Sequence, residues 1–522
     1  MVKRFVIEHV GTTAFTTRLR KVALPYTGNL RPINTTLRAL QQAPLSCQTV
    51  MFEYDYVDKD YQSEFSAFYS RAFKNYPSRC TRLHFFSVRI PKRNRTSFRE
   101  YRNHYLGFMV IRPIDLQRMG RTILRPPITD KNSQFIHCQA SFSAHIFGEE
   151  FKVKGMPFTQ QDTQVGACAQ ASLWMLARYM SRRFGYREFV PAEINQLAKA
   201  HIALGRSLPA ERGLNFIQML DALQGMGFSA LNYSKEAVDD CSPHIKRAFP
   251  DDPNAPDHKD QLEKQRIAKL ADIAYRYIES SLPVIFGTSD HALVGIGHTY
   301  NPAATASVAI QRIPAFLVNN DNSGPYLEMP LFSQPQTHLS FSSVQTVIVV
   351  LPSEVTLRGE EAEVMATSCI EEFLNQQTNS PGNMTYRQFI AQQLRPDLAA
   401  FLSNLEYRTF LRLAVEFQAD IRRDIQKNRL DASIGEQLLR LDYPKFIWVT
   451  EVSSPALLNR RKRQQRRCLG RVIVDSTAPA KTHGEMVIHF ADFLHVLDRQ
   501  GRKRQPWFHC PGTTPFAHKL LT

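Results

Sequence analysis

Up to about residue 150, short apolar runs alternate with polar stretches. Residues 48–54, 83–90 and 105–111 have the length and the β-branched or aromatic character that predict strands, and the last runs into Arg112-Pro113. Between the first two, Phe65, Phe68, Tyr69 and Phe73 recur at helical spacing and predict a helix over 63–73. Near residue 150 the pattern changes. Residues 147–155 read as a hairpin or linker, and 167–183 as a helix that is apolar around most of its circumference and therefore largely buried. Helices follow over 191–202 and 214–225, then a polar, proline-rich loop over 250–258 and a longer helix over 261–280. Apolar runs at 284–286, 292–296, 315–318 and 344–351 predict strands. Beyond 355 the expected elements are helices over 360–375, 386–394 and 407–427 and strands over 446–450 and 471–475.

This order implies an α+β chain of three consecutive regions. An α+β region over 1–150 precedes one over 151–355 that runs helix first and sheet second, and a basic α+β region over 356–522 ends the chain. A length of 522 residues agrees with more than one core. No repeat at solenoid periods is visible.

Composition narrows the class. With 43% hydrophobic and 22% charged residues the chain is ordinary globular protein. No apolar run reaches the roughly 18 residues of a membrane helix. Lys3 and Arg4 precede an apolar stretch that Glu8 and His9 interrupt at once, which is not a secretory signal. A cytoplasmic protein without membrane contact is expected. The eight cysteines form no CxxC pair and no zinc-ligand cluster, so a disulfide framework is not expected. The net charge of +17 is concentrated late, in the run from Arg460 to Arg467 and again at 502–504. Such runs bind nucleic acid or an acidic partner by screened electrostatics, or are simply solvated loop.

Three segments carry chemistry. The first is 160–174 (QQDTQVGACAQASLW), where Cys168 sits among small residues at the first turn of the expected helix. A thiolate there meets unsatisfied backbone N–H groups and the positive end of the helix dipole. An upstream glutamine could donate to an oxyanion beside the Cys168 N–H. The second is 282–297 (LPVIFGTSDHALVGIG), which places His291 where a loop enters an apolar strand, open on one side to act as general base. The third is 315–326 (AFLVNNDNSGPY), an apolar strand ending in a polar cluster. If it pairs antiparallel with the His291 strand, Asn320 or Asp321 returns beside the imidazole and orients it. Asn320 shares a strand face with Phe316 and Val318, and Asp321 is the alternative. His298, at the far end of the His291 strand, reads as a loop residue.

The order Gln, Cys on a helix, Pro-Val strand, His-Ala strand, strand ending in Asn/Asp resembles the papain-like cysteine peptidases, closest to their bacterial C39-like branch. The resemblance covers about 155–355. It implies a central papain-like fold, a helical half followed by an antiparallel sheet half, with Cys168 as nucleophile and His291 as general base. It also implies a protein or peptide substrate and no cofactor. The family's oxyanion glutamine stands six positions before the cysteine, where this chain has Asp162. Gln161 and Gln164 are the neighbouring candidates, and Gln161 is preferred. Ala169 stands where the family often has glycine.

The implied activity is cleavage of an amide or isopeptide bond through an acyl-enzyme. Two alternatives remain. A transglutaminase-like acyltransferase would use the same site, with Asp321 as the orienting residue. A catalytically silent scaffold would instead bind nucleic acid or an acidic partner through Arg460 to Arg467. No P-loop, GxGxxG, HExxH or GxSxG motif occurs.

Overall fold

A computed structural model describes residues 4–23, 29–92, 98–162, 168–199, 213–237, 243–250, 252, 254, 256–301, 309–332, 339–378, 384–394, 396–458, 460, 462–479, 484–490, 493–496, 508–509 and 518–519. The protein is mixed α+β with several antiparallel sheets. It divides into two compact units. The first is Met1–Ala237, Leu282–Thr299 and Ala315–Val350; the second is Val238–Ser281, Tyr300–Pro314 and Leu351–Thr522. The boundary expected near 150 falls inside the first unit, and the one near 355 lies just past the entry into the second unit at Leu351.

The first unit opens with β1 (Phe5–His9), helices α1 (Thr13–Ala23) and α2 (Arg31–Gln41), β2 (Thr49–Tyr56), α3 (Lys59–Ala67), β3 (Cys80–Phe86), β4 (Tyr105–Ile111) and β5 (Met119–Leu124). A short β6 (Gln134–Ile136), the hairpin of β7 (Ala140–Ile146) and β8 (Glu149–Gly155), and β9 (Pro157–Phe158) follow. The first sheet has the order β1-β2-β3-β4-β5-β9, antiparallel throughout. Every residue of β4 is buried, as its unbroken apolar run requires of a central strand.

The helix expected over 63–73 is displaced. Asp58 caps α3 by accepting from the N–H groups of Asp60 and Tyr61, so the helix starts earlier and ends at Ala67. A 3-10 turn, Tyr69–Arg71, follows, and Phe73 is fully exposed. The aromatic spacing serves Tyr61–Tyr69 packing across the two turns rather than one long helix.

Helix α4 (Cys168–Phe184) is the centre of the unit. Its Leu173, Trp174, Met175, Leu176, Ala177, Tyr179 and Met180 are all buried, as a helix that is apolar all round demands. Its buried polar groups are paired: Arg178 bonds Asp60 at 2.6 Å and Glu188 at 2.7 Å, and the Trp174 indole donates to the same Asp60 oxygen at 3.0 Å. Through Asp60, helix α4 is tied to α3.

The second sheet is built from β10 (Phe228–Ser234), β11 (Val284–Gly287), β12 (Ala292–Thr299), β13 (Ala315–Asn320), β14 (Gly324–Pro330) and β15 (Thr346–Pro352), in the order β10-β15-β11-β12-β13-β14, with β6 added against β12. At Gly297 an added Cβ would lie 2.2 Å from the Phe135 carbonyl oxygen, so only glycine lets β6 approach. His298 is not a loop residue: it is buried within β12 and stacks on His137 at 5.2 Å. The β13–β14 hairpin is pinned to the first sheet by Tyr326, whose hydroxyl donates to Leu124 O at 2.8 Å and accepts from Met156 N.

In the second unit an antiparallel sheet runs through Glu406–Leu413, Phe446–Ser453, Gly470–Asp475, Glu485–Phe490, Phe493–Val496 and Phe508–His509. The helix expected over 407–427 is half strand. Glu406–Leu413 pairs along its whole length with Phe446–Ser453, and the Thr409 and Thr450 hydroxyls bond across it, so the helix begins only at Ala414. The basic run is partly built in. Arg466 is buried with its guanidinium 3.9 Å from the Tyr300 ring centroid, and Arg467 donates to the Gln464 and Arg466 carbonyls. Arg461 and residues 502–504 lie outside the described residues. No helix among the described residues is long and apolar enough to cross a membrane.

The weight placed on α4 has a measurable consequence. Trp174→Ala should destabilise the protein by about 3–5 kcal/mol in urea denaturation, from cavity and packing loss. Trp174→Phe, which removes one of the two donors to that Asp60 oxygen and leaves Arg178 in place, should cost about 1–3 kcal/mol.

Candidate active site

Cys168 is the first residue of α4 and is partly exposed, while the turns after it are buried. The N–H groups of a helix's first turn have no partner within the helix, so the thiol lies at the donor end of α4. Sequence and burial together produce this placement. Small residues surround Cys168, and the bulky apolar ones begin at Leu173.

His291 stands at the mouth of β12. Residues 288–291 form a tight turn in which Thr288 N–H donates to His291 O at 2.8 Å and the Thr288 hydroxyl accepts from His291 N–H at 3.1 Å. One residue on, Ala292 O accepts from the Ser172 hydroxyl at 3.2 Å, which ties this strand end to the second turn of α4. Ser172 and Thr288 are positioning residues that carry no motif of their own.

The third member arrives by register. Strands β12 and β13 are antiparallel with Val294 opposite Asn319, so residues just before β12 meet residues just after Asn319. His291 Nε2 lies 3.0 Å from Asn320 Oδ1 and 3.3 Å from Asp321 Oδ1. Both candidates for the orienting role thus face the same ring nitrogen. The Asn320 oxygen also accepts from Asn322 N–H at 2.9 Å, which fixes the amide. The Cys168 thiol is close enough to the ring to favour its protonated form.

The electrostatics follow from burial and pairing. Burial opposes charge on His291, but the Cys168 hydrogen bond and the charges of Asp321 and Cys168 outweigh it, and the ring is raised to about 9. Asp321 is completely buried. Burial pushes its carboxyl up to about 6, against the pull of His291 and of the backbone N–H groups of Asp321, Asn322 and Gln161. A charged Asp321–His291 pair therefore spans about pH 6 to about 9.

Gln161 lies on the Asn322 side of the site. Its side-chain amide donates to Asn322 Oδ1 at 3.0 Å, and no hydrogen bond from it to Cys168 is present among the described residues. Gln164 lies outside the described residues. Asp162 is buried and hydrogen-bonded by the Tyr69 hydroxyl. Its neighbour Gln160 is fixed by Arg112, which donates to its carbonyl at 3.0 Å, and by its own amide, which donates to Asn29 O. The segment leading to Cys168 is thus anchored in the first sheet.

The other described thiols have different surroundings. Cys47, Cys80, Cys138 and Cys468 are buried, and burial pushes each thiol up, Cys47 and Cys468 to about 12. Cys369 is partly exposed and donates to Glu485 at 3.2 Å.

No protein-family model matches the chain, and no curated protein matches it in sequence.

The geometry sets an expectation for the imidazole itself. An NMR titration of His291 should show the ring protonated up to about pH 9. Asp321→Asn and Cys168→Ala should each move its midpoint down, because each removes a neighbour that favours the protonated ring. An unmoved midpoint in both variants would contradict the charge assignment.

Proposed function

We propose that this chain is a cysteine peptidase or isopeptidase of papain-like type. The observation that supports it is the convergence of three distant segments: a thiol at a helix start, an imidazole whose protonation it favours, and an amide and a carboxylate at the imidazole's Nε2. That set suits nucleophilic attack at an acyl carbon.

In the proposed reaction the Cys168 thiolate attacks the substrate carbonyl carbon. A C–S bond forms and the carbonyl electron pair moves to oxygen. The first-turn N–H groups of α4 receive this oxyanion. As the C–N bond breaks, protonated His291 passes its proton to the leaving nitrogen. Water then attacks the thioester while His291 takes a proton from it, and C–S cleavage returns the thiolate. Asn320 and Asp321 hold the ring in place, and Asp321 stabilises its charge. The chemistry requires no cofactor. A cytoplasmic setting and a protein or peptide substrate belong to the same reading.

The Asp321 contact favours one neighbouring reading. A carboxylate on the histidine is also the arrangement expected of transglutaminase-like acyl transfer, in which an amine replaces water in the second step.

Cys168→Ala and His291→Ala should each lower turnover by at least about 10³-fold with the melting temperature preserved, on a peptide library read by mass spectrometry. Full activity in both variants would end the proposal. Products formed with a primary amine present separate hydrolysis from transfer. Rate against pH should hold a plateau between about 6 and about 9: Asp321 loses its charge below, and His291 loses the proton it must donate above.

A further inference from the structure

Between α1 and the first sheet lies a cleft of about 520 Å³, within the roughly 300–1,000 Å³ range of small-molecule sites. Five cations line it: Arg18 and Lys21 from α1, Arg79 before β3, and Arg112 and Arg118 from the loop joining β4 to β5. From Arg18 to Arg118 they are spread over 100 residues of sequence and form no motif. Among the described residues no acidic side chain lines the cleft.

Three of the five cations are answered. Arg18 bonds Glu8 at 3.2 Å, although Glu8 also takes Lys92 at 2.6 Å, and Arg18 donates to the Tyr54 hydroxyl at 3.0 Å. Arg112 grips both oxygens of Glu64 at 3.0 Å. Arg118 donates to Val22 O near the end of α1 at 3.3 Å and acts on Asp115, which Lys74 and Tyr76 also hold. Exposed Lys21 and Arg79 have no carboxylate partner among the described residues. Two positive charges therefore face the cleft uncompensated. The partial negative charge at the C-terminal end of α1 opposes an anion there, and Arg118 on the Val22 carbonyl offsets it. The floor is apolar and aromatic, formed by Val6, Tyr54 and Ile111.

We propose that this cleft binds a small organic phosphate, its phosphate met by Lys21 and Arg79 and its apolar part lying against Val6, Tyr54 and Ile111. A phosphate monoester carries about −1.5 to −2 at neutral pH, which matches the two unanswered cations. A guanidinium fork suits its oxygens, and the apolar floor selects an ester over the free ion. The site is independent of the cysteine chemistry.

Phenyl phosphate titrated calorimetrically into the full chain at low salt is the test. The expected result is saturable binding with a Kd below about 1 mM, weakened by added salt. Inorganic phosphate should bind at least about fivefold more weakly than phenyl phosphate. Lys21→Ala/Arg79→Ala should lose about tenfold or more in affinity, while Lys154→Ala, an exposed cation elsewhere in the unit, should lose none. If the double variant fails to fold, Lys21→Gln and Arg79→Gln singly should each show a loss. No saturation by about 10 mM, equal affinity for inorganic phosphate, an unaffected folded variant, or an equal loss in Lys154→Ala would each overturn the proposal.

Discussion

The antiparallel register of β12 against β13, with Val294 opposite Asn319, is the constraint on which the site depends. His291 and Asn320 are 29 residues apart in sequence and 3.0 Å apart at their polar atoms, and the register alone closes that gap. A slip of one residue would turn side chains to the opposite face and remove Asn320 from the ring. The register is held by apolar burial, since Leu293, Val294, Phe316 and Val318 are fully buried. The Tyr326 hydroxyl bonding Leu124 and Met156 adds a fixed point beyond the hairpin. Ser172 then fastens the same strand end to α4, so that helix and sheet share one frame.

That frame is polar where it must be exact in direction and apolar where it must be strong. Within the first unit, Glu53 is paired with Arg82, Glu64 with Arg112, and Asp60 with Arg178, all buried. Buried pairs of this kind contribute little net stability but are expensive to break, about 3–5 kcal/mol for loss of one partner. Their effect is to favour one arrangement of α3, α4 and the first sheet. The second unit repeats the device: Arg276 meets Asp272, Glu360 and Glu363, and Arg408 meets Glu279 and Glu451. Arg82, Arg112, Arg178, Arg276 and Arg408 are therefore internal scaffolding rather than free surface charge. Arg466, stacked on Tyr300, is the clearest case, because it belongs to a run whose composition suggests a solvated arm.

Legibility in the sequence tracked how local the physics is. Helix α4 and strands β11, β12 and β13 follow from periodicity within a short window, as does the placement of Cys168 at a helix start. The edges of elements were less legible. Asp58 as a cap overrode the aromatic spacing of 63–73, and pairing with Phe446–Ser453 overrode the helical pattern of 407–413. His298 looked like a loop residue because a polar side chain in a strand announces nothing about the His137 ring that covers it.

The sequence by itself determined that Cys168 begins a buried helix, that His291 enters an apolar strand, and that a polar cluster at 319–322 ends another. These are one-dimensional facts, fixed by apolar period and by small or Asx-rich punctuation. Only the tertiary structure decided that Asn320 and Asp321 both reach Nε2, that Gln161 turns its amide to Asn322, and that burial and charge set the His291–Asp321 pair between about 6 and about 9. It also decided that five cations scattered from Arg18 to Arg118 share one cleft. The reason is physical. Desolvation, charge pairing and hydrogen-bond direction depend on distances across the fold, and nothing in local spacing encodes them.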